Sequence, residues 1–186
     1  MDDDLPGPSA PTADDEIAPD TKDWTWVLDR PCPECGFVAS TTEPAAIGAA
    51  VRALTPRWRA ALARDDAGVR PRPGVWSALE YGAHVRDVHR VFAARLRLML
   101  TEDYPTFANW DQDEQAREQG YARQDPATVA RELAQAAADI ADLFDSVTPA
   151  DLGRAGERSN GSVFTVRTLG QYYLHDVVHH VHDVGA

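Results

Sequence analysis

The stretch "VWSALEYGAHVRDVHRVFAARLRLML", residues 75–100, decides the fold. Its apolar residues return every three or four positions, which is the spacing of one buried face on an α-helix. Ser77 followed by Glu80 forms a capping-box pattern at the start of the stretch. Residues 75–100 therefore predict a long amphipathic helix that packs against other elements.

Three further stretches predict long helices on the same grounds, whereas no part of the chain has a convincing strand pattern. They are residues 43–64, 125–147 and 164–184. Asp125 and Thr165 are suited to cap the second and third of these helices, because short polar side chains accept hydrogen bonds from exposed N–H groups. Four long helices with substantial connections predict an all-α four-helix bundle.

The composition limits the classes of function. The formal net charge is -12 and the pI is about 4.8, which argues against sequence-independent nucleic-acid binding. No apolar run approaches the roughly 20 residues of a membrane span, and the acidic N-terminus is not a signal peptide. We expect a cytoplasmic protein with a disordered acidic tail (1–22), a CxxC-containing lid segment (23–43) and the helical bundle (44–186).

Four of the six histidines lie in "QYYLHDVVHHVHDV", residues 171–184. His175 and His179 are four residues apart, so they share a helix face and their imidazoles can converge on one metal ion. His182 lies near the same face, whereas His180 points about 100° away from His179. The alternative is that these are surface or core histidines without a ligand.

A third metal ligand must come from the middle of the chain, where His84 and His89 are the remaining histidines. His84 is the better candidate, because Glu80 and Asp87 lie on its helix face and could orient its imidazole. His89 lies roughly 140° around the helix from His84, so both cannot easily face one ion.

Cys32 and Cys35 form a CxxC pair, and the chain has no other cysteine. A closed zinc site needs four ligands. A second copy of the chain could supply two more thiols, or two spare histidines such as His180 and His182 could complete a Cys2His2 site. The third interpretation is a free dithiol or redox switch.

Two motifs resemble a known family. "WSALEYGAHVRD" (76–87) and "LHDVVHH" (174–180) look like the second-helix and fourth-helix signatures of the DinB-like (DinB/YfiT-like) metalloenzyme superfamily. The resemblance covers about residues 44–184. The tracts at 107–115 and 157–180 resemble an actinobacterial branch of this family, related to mycothiol-dependent enzymes.

The resemblance implies an up-down-down-up four-helix bundle that is often dimeric, so we expect a homodimer. It implies that His84, His175 and His179 bind a divalent ion, commonly zinc or nickel. The activity it implies is that of a metal-dependent, mycothiol-type thiol S-transferase, or of a related isomerase or hydrolase. Such an enzyme acts on a small molecule and uses a low-molecular-weight thiol as cosubstrate. The alternative is a non-catalytic, stress-related bundle that binds a metal or ligand.

Several polar and aromatic residues are candidates for the mouth of the site, although no catalytic residue can be assigned. The loop between the second and third long helices, with a short helix expected at 111–119, supplies some, and the region before and within the last helix supplies others. Trp110 could instead anchor the loop, Asp111 could cap a helix and Tyr172 could be a core residue. The candidates are Asn109, Trp110, Asp111, Arg158, Asn160 and Tyr172.

Overall fold

The computed structural model describes residues 17, 19 and 22–186. The predicted disordered tail, residues 1–22, lies outside the described residues except at positions 17, 19 and 22. Among the described residues, no helix combines the length and the apolar character needed to cross a membrane.

Four long helices form the core of the molecule, as predicted. Helix α4 packs between α1 and α2, and α5 contacts the same two helices. The all-α four-helix bundle is therefore confirmed. The elements in chain order are α1 Ile47–Leu62, α2 Ala78–Thr101, β1 Thr106–Phe107, α3 Gln112–Glu118, α4 Pro126–Asp145, β2 Ala155–Arg158, β3 Val163–Thr165 and α5 Val166–Asp183.

The helix starts follow the predicted caps. The Ser77 hydroxyl accepts a hydrogen bond from the Glu80 N–H at 3.2 Å, and the Glu80 carboxylate accepts one from the Ser77 N–H at 2.9 Å. Asp125 caps α4 and Thr165 caps α5 in the same way. These local bonds fix where α2 and α5, the helices that carry the histidines, begin.

Helix α5 lies unusually close to its neighbours at Gly170. A Cβ at this position would lie 2.6 Å from Ile47 Cδ1 and 2.9 Å from Phe144 Cε1. A residue without a side chain therefore lets α5 approach Ile47 of α1 and Phe144 of α4 closely. This close packing fixes the position of the histidine-rich half of α5.

A small three-stranded sheet departs from the expectation of no strands. It has the order β1-β2-β3, with β1 parallel to β2 and β2 antiparallel to β3. The strands have only two to four residues, which is too short for an alternating pattern to show in the sequence. Their pairing joins the α2–α3 connection to the α4–α5 connection.

The segment before α1, which includes the CxxC-containing segment 23–43, is folded onto the bundle. It contains short 3-10 helices at Trp24–Leu28, Ala39–Thr41 and Pro44–Ala46. The Gln171 side-chain amide on α5 donates hydrogen bonds to the carbonyls of Ala39, at 2.8 Å, and Thr42, at 3.1 Å. These bonds hold the segment against α5.

Candidate metal centre

Helix α5 presents two neighbouring i, i+4 pairs, and each pair meets side chains from another element. In each of the two resulting groups, every residue offers one ligand atom, and these atoms lie within 4.8 Å of one another. The sulfur group consists of Cys32, Cys35, His175 and His179, and the carboxylate group consists of His84, Asp176 and His180.

The carboxylate group lies between α2 and α5. Asp176 Oδ1 is 3.6 Å from His84 Nε2 and 3.7 Å from His180 Nε2. Both ring nitrogens of His84 and Oδ1 of Asp176 are buried and have no hydrogen-bond partner among the described residues. An unsatisfied buried polar group costs about 1–3 kcal/mol, so these atoms together indicate a missing partner. A cation fits Asp176 Oδ1 and the one His84 nitrogen that keeps its lone pair.

The imidazole of His180 is also oriented to bind a cation. His180 Nδ1 lies 2.8 Å from Asp183 Oδ2. A carboxylate can only accept, so Nδ1 carries the hydrogen and Nε2 keeps its lone pair toward Asp176. A carboxylate behind a ligating histidine is the usual arrangement in protein metal sites.

Aromatic rings close the carboxylate group from one side. The indole of Trp110 stacks on the His84 imidazole, with ring centroids 5.4 Å apart and planes inclined by 8°. Trp76 lies 5.3 Å from His84, and Tyr81 lies 5.0 Å from His180, again between ring centroids. These rings keep water from the buried side of the group and strengthen its electrostatic interactions.

Burial and the neighbouring side chains together set the protonation states in the carboxylate group. It lowers the pKa of His84 against the opposing effect of Asp176. Burial would raise the pKa of Asp176, but the neighbouring His84 and His180 outweigh it and lower that pKa to about 2. A neutral imidazole beside an ionised carboxylate is the form in which both bind a metal ion.

The sulfur group lies between the segment before α1 and α5. Cys32 Sγ is 3.7 Å from His179 Nδ1, and neither cysteine forms a disulfide. The Trp24 ring centroid is 5.7 Å from that of His175 and 5.1 Å from that of His179. The pKa of His175 falls to about 4, first because of burial and then because of His179.

A cavity of about 70 Å³ opens beside both groups. It has room for a few waters or one small substrate group. Side chains of α5 form one wall, and Trp24 and Gln112 come from the segment before α1 and from α3. The lining residues are Trp24, Gln112, Tyr172, His175, Asp176, His179 and His180.

The three predicted ligands are divided between the two groups. His84 lies in the carboxylate group, whereas His175 and His179 lie in the sulfur group. His89 is buried and its Nδ1 is 2.8 Å from the Tyr173 hydroxyl, which gives it a core role. The structure thus places His84, and not His89, in one of the two groups.

Glu80 and Asp87 do not orient His84 as expected. Glu80 pairs with Arg70, and its carboxylate also accepts from the Ser77 backbone. Asp87 pairs with Arg86 and accepts a hydrogen bond from the Tyr121 hydroxyl at 2.7 Å. Both carboxylates have partners of their own.

Sequence reasoning missed the pair of Asp176 and His180 as ligands beside His84, although a signal was present. These two residues have the same four-residue spacing as His175 and His179, one position further along. The hypothesis of a Cys2His2 site named His180 and His182, whereas the histidines beside the thiols are His175 and His179.

The candidates for the mouth have separate positions. Tyr172 lines the cavity, and Trp110 contacts His84. Asp111 caps α3, and Arg158 donates a hydrogen bond to the Asn160 side chain at 2.9 Å. Tyr172 and Trp110 thus lie beside the metal-ligating groups or the cavity.

Comparison with known proteins identifies the family. The model of the DinB superfamily matches residues 49–184, which is most of the chain. The chain belongs to the DinB superfamily. A solved structure similar to this chain, YfiT from Bacillus subtilis, is described as a probable metal-dependent hydrolase with an unusual four-helix bundle topology. It is 18% identical with a TM-score of 0.66, over 76% of this chain and 85% of YfiT, so the likeness shows the four-helix bundle fold. No protein of curated function matches the sequence.

Proposed function

We propose that this chain is a divalent-metal-dependent enzyme that acts on a small molecule, with the ion held by His84, Asp176 and His180. The observation that carries the proposal is the set of buried atoms without a hydrogen-bond partner among the described residues, on His84 and Asp176. They lie beside a cavity that Asp176 and His180 line. Membership of the DinB superfamily, and a fold shared with YfiT, which is described as a probable metal-dependent hydrolase, support the same assignment.

The donor set fits an open site. Two imidazoles and one carboxylate leave at least one coordination position for water or substrate, as in catalytic rather than structural sites. Such a set accepts zinc, nickel or iron(II). A divalent ion in this place lowers the pKa of a bound water or thiol and so supplies a nucleophile at neutral pH.

Residues of the chain itself complete the cavity. Burial raises the pKa of the Tyr172 hydroxyl, so its oxygen keeps the proton at neutral pH and can donate a hydrogen bond to a substrate. Trp24 covers the cavity from the segment before α1. Trp110 and Trp76 exclude water behind His84. Together they position and desolvate a small electrophilic substrate.

Two reaction classes need a small electrophilic substrate beside a metal-activated nucleophile. They are hydrolysis and the transfer of a thiol such as mycothiol. We include both in the proposal, together with the related isomerisation. The low-molecular-weight thiol and a homodimeric assembly rest on the family resemblance. The rival is a non-catalytic bundle that binds a metal or ligand, and an open position beside a cavity favours the enzyme.

The first experiment measures metal content and turnover. Protein without a histidine tag is analysed for zinc, nickel, iron and manganese, and is screened with small electrophiles in water alone and with added thiols. We expect His84→Gln/His180→Gln to lose an ion and all turnover, whereas His182→Gln, a change of an exposed histidine on the same helix, keeps both. A native protein without turnover that still binds the ion supports the non-catalytic rival.

A second comparison separates this ligand set from the predicted set of His84, His175 and His179. If those three residues share one ion, His84→Gln and His175→Gln remove the same equivalent of metal, and the double variant loses no more than either single variant. If our assignment is correct, His84→Gln removes this ion and His175→Gln leaves it bound, so any ion lost in His175→Gln is a different one and the losses add. Additive loss is the result we expect.

A further inference from the structure

The CxxC turn is shaped to bring its two thiols to one side. The Cys32 N–H donates to the Phe37 carbonyl at 2.9 Å, and the Gly36 N–H donates to the Cys32 carbonyl at 2.9 Å. Gly36 has a φ of 75°, a conformation that favours glycine. This closed turn holds Cys32 and Cys35 beside α5.

The spacing of the ligand atoms approaches that of a metal tetrahedron. Zinc–sulfur and zinc–nitrogen bonds of about 2.3 and 2.0 Å place neighbouring ligand atoms about 3.3–3.8 Å apart. Cys32 Sγ and His179 Nδ1 are already 3.7 Å apart, and all four ligand atoms lie within 4.8 Å of one another. Small side-chain rotations therefore complete the tetrahedron.

His175 provides independent evidence that this group binds a ligand. Its side chain is 3% exposed, and its Nε2 has no hydrogen-bond partner among the described residues. Its ring packs between Trp24 and Phe37, with centroids 5.7 and 5.6 Å away. A buried lone pair held in this way is costly unless something binds it.

We propose that Cys32, Cys35, His175 and His179 hold a structural zinc ion. Two thiolates and two imidazoles are a donor set of closed zinc sites, in which no position is left for substrate. The two thiols lose their protons on binding, and the two thiolate charges balance those of the ion, so the buried site is neutral. This proposal does not depend on the proposed function.

The ion would join two parts of the chain that are distant in sequence. Cys32 and His179 are 147 residues apart. A bond between the segment before α1 and the last helix also fixes Trp24, which contacts both histidines and lines the cavity. The zinc would therefore shape the wall of the cavity without taking part in the reaction there.

X-ray absorption on the native protein tests the proposal without a variant. Tag-free protein from zinc-supplemented cells should show zinc–sulfur distances of about 2.3 Å beside zinc–nitrogen distances of about 2.0 Å. Cobalt-substituted protein should show thiolate-to-cobalt charge-transfer absorption. Native protein whose zinc has no sulfur neighbour would overturn the proposal, as would a native mass that shows a Cys32–Cys35 disulfide.

Variants then assign the ion to its ligands. Cys32→Ser/Cys35→Ser should lose one equivalent of zinc and every zinc–sulfur distance, whereas Pro33→Ala, an exposed change within the same turn, should keep both. His84→Gln/His180→Gln should lose the other ion and keep the sulfur ligation, so the two proposals fail independently. A cysteine variant that keeps its full zinc content would sink this proposal alone.

Discussion

The two donor groups on α5 differ in what faces them, although their helix positions differ by one residue. His175 and His179 meet two thiols from the segment before α1, whereas Asp176 and His180 meet His84 from α2. Successive residues point about 100° apart on a helix, so one helix can serve two neighbours. The same i, i+4 spacing thus gives a four-ligand group on one side and a three-ligand group on the other.

The number of ligands decides whether an ion in each group would stabilise the fold or act on a substrate. A closed sulfur group has no position for substrate, so its ion can only hold elements together. An open carboxylate group leaves a position beside the cavity, so its ion can act on a substrate. The predictions below test whether the two groups are as separate as this comparison requires.

The largest effect should come from breaking the sulfur group. At free zinc 1,000 times the dissociation constant, a site that binds only the folded state contributes about 4 kcal/mol to the free energy of unfolding. We expect Cys32→Ser/Cys35→Ser to lose this zinc-dependent part in urea unfolding, and Pro33→Ala to change stability by less than about 1 kcal/mol. Equal zinc dependence in the two variants would contradict the comparison.

The next effect should come from removing the carboxylate of the open group. Asp176→Asn takes away a ligand charge, so we expect the affinity for that ion to fall by more than about 100-fold, beyond the loss of an orienting group. Competition with a chelator measures it. The sulfur-bound zinc and its zinc–sulfur distances should be unchanged, and Asp103→Asn, in an exposed loop, should change neither quantity. Loss of the sulfur-bound ion in Asp176→Asn would show that the groups are not separate.

A smaller effect is expected at Asp183, which orients His180. Its Oδ2 is 2.8 Å from His180 Nδ1 but 3.8 Å from His179 Nε2. We expect Asp183→Asn to weaken the ion of the carboxylate group by about 10- to 100-fold, and to affect the sulfur group much less because of the longer distance. Each group is loaded with cobalt, and a chelator then competes for the ion. The cobalt absorption of each group measures its affinity. A stronger effect on the sulfur group would reverse this ranking.

The helices could be predicted from the sequence because their signals are local. The capping box at Ser77 and the caps at Asp125 and Thr165 are set by residues three positions away, and all three form as expected. The strands β1 to β3 could not be predicted, because two to four residues carry no measurable alternation and their pairing is long-range. Local signals thus give the bundle but not the sheet that joins its connections.

The site could be predicted only in part, for the same reason. Spacing selects His175 with His179, but Asp176 and His180 have the same spacing, and no local signal tells which element faces which pair. Whether His84 meets one pair or the other depends on the rotation of α5 against α2. That rotation follows from packing, including the close approach at Gly170, and packing is not readable from periodicity.

The smallest effect should come from His182, which tests the boundary of both groups. The sequence places it near the face of His175 and His179, but its side chain is 56% exposed and it belongs to neither group. We expect His182→Gln to keep both ions and to change the free energy of unfolding by less than about 0.5 kcal/mol, as surface changes do. Elemental analysis measures the ion content, and urea unfolding measures the free energy of unfolding. Loss of one ion in this variant would mean that exposure does not decide which histidines bind metal, and that the division of α5 into two groups is wrong.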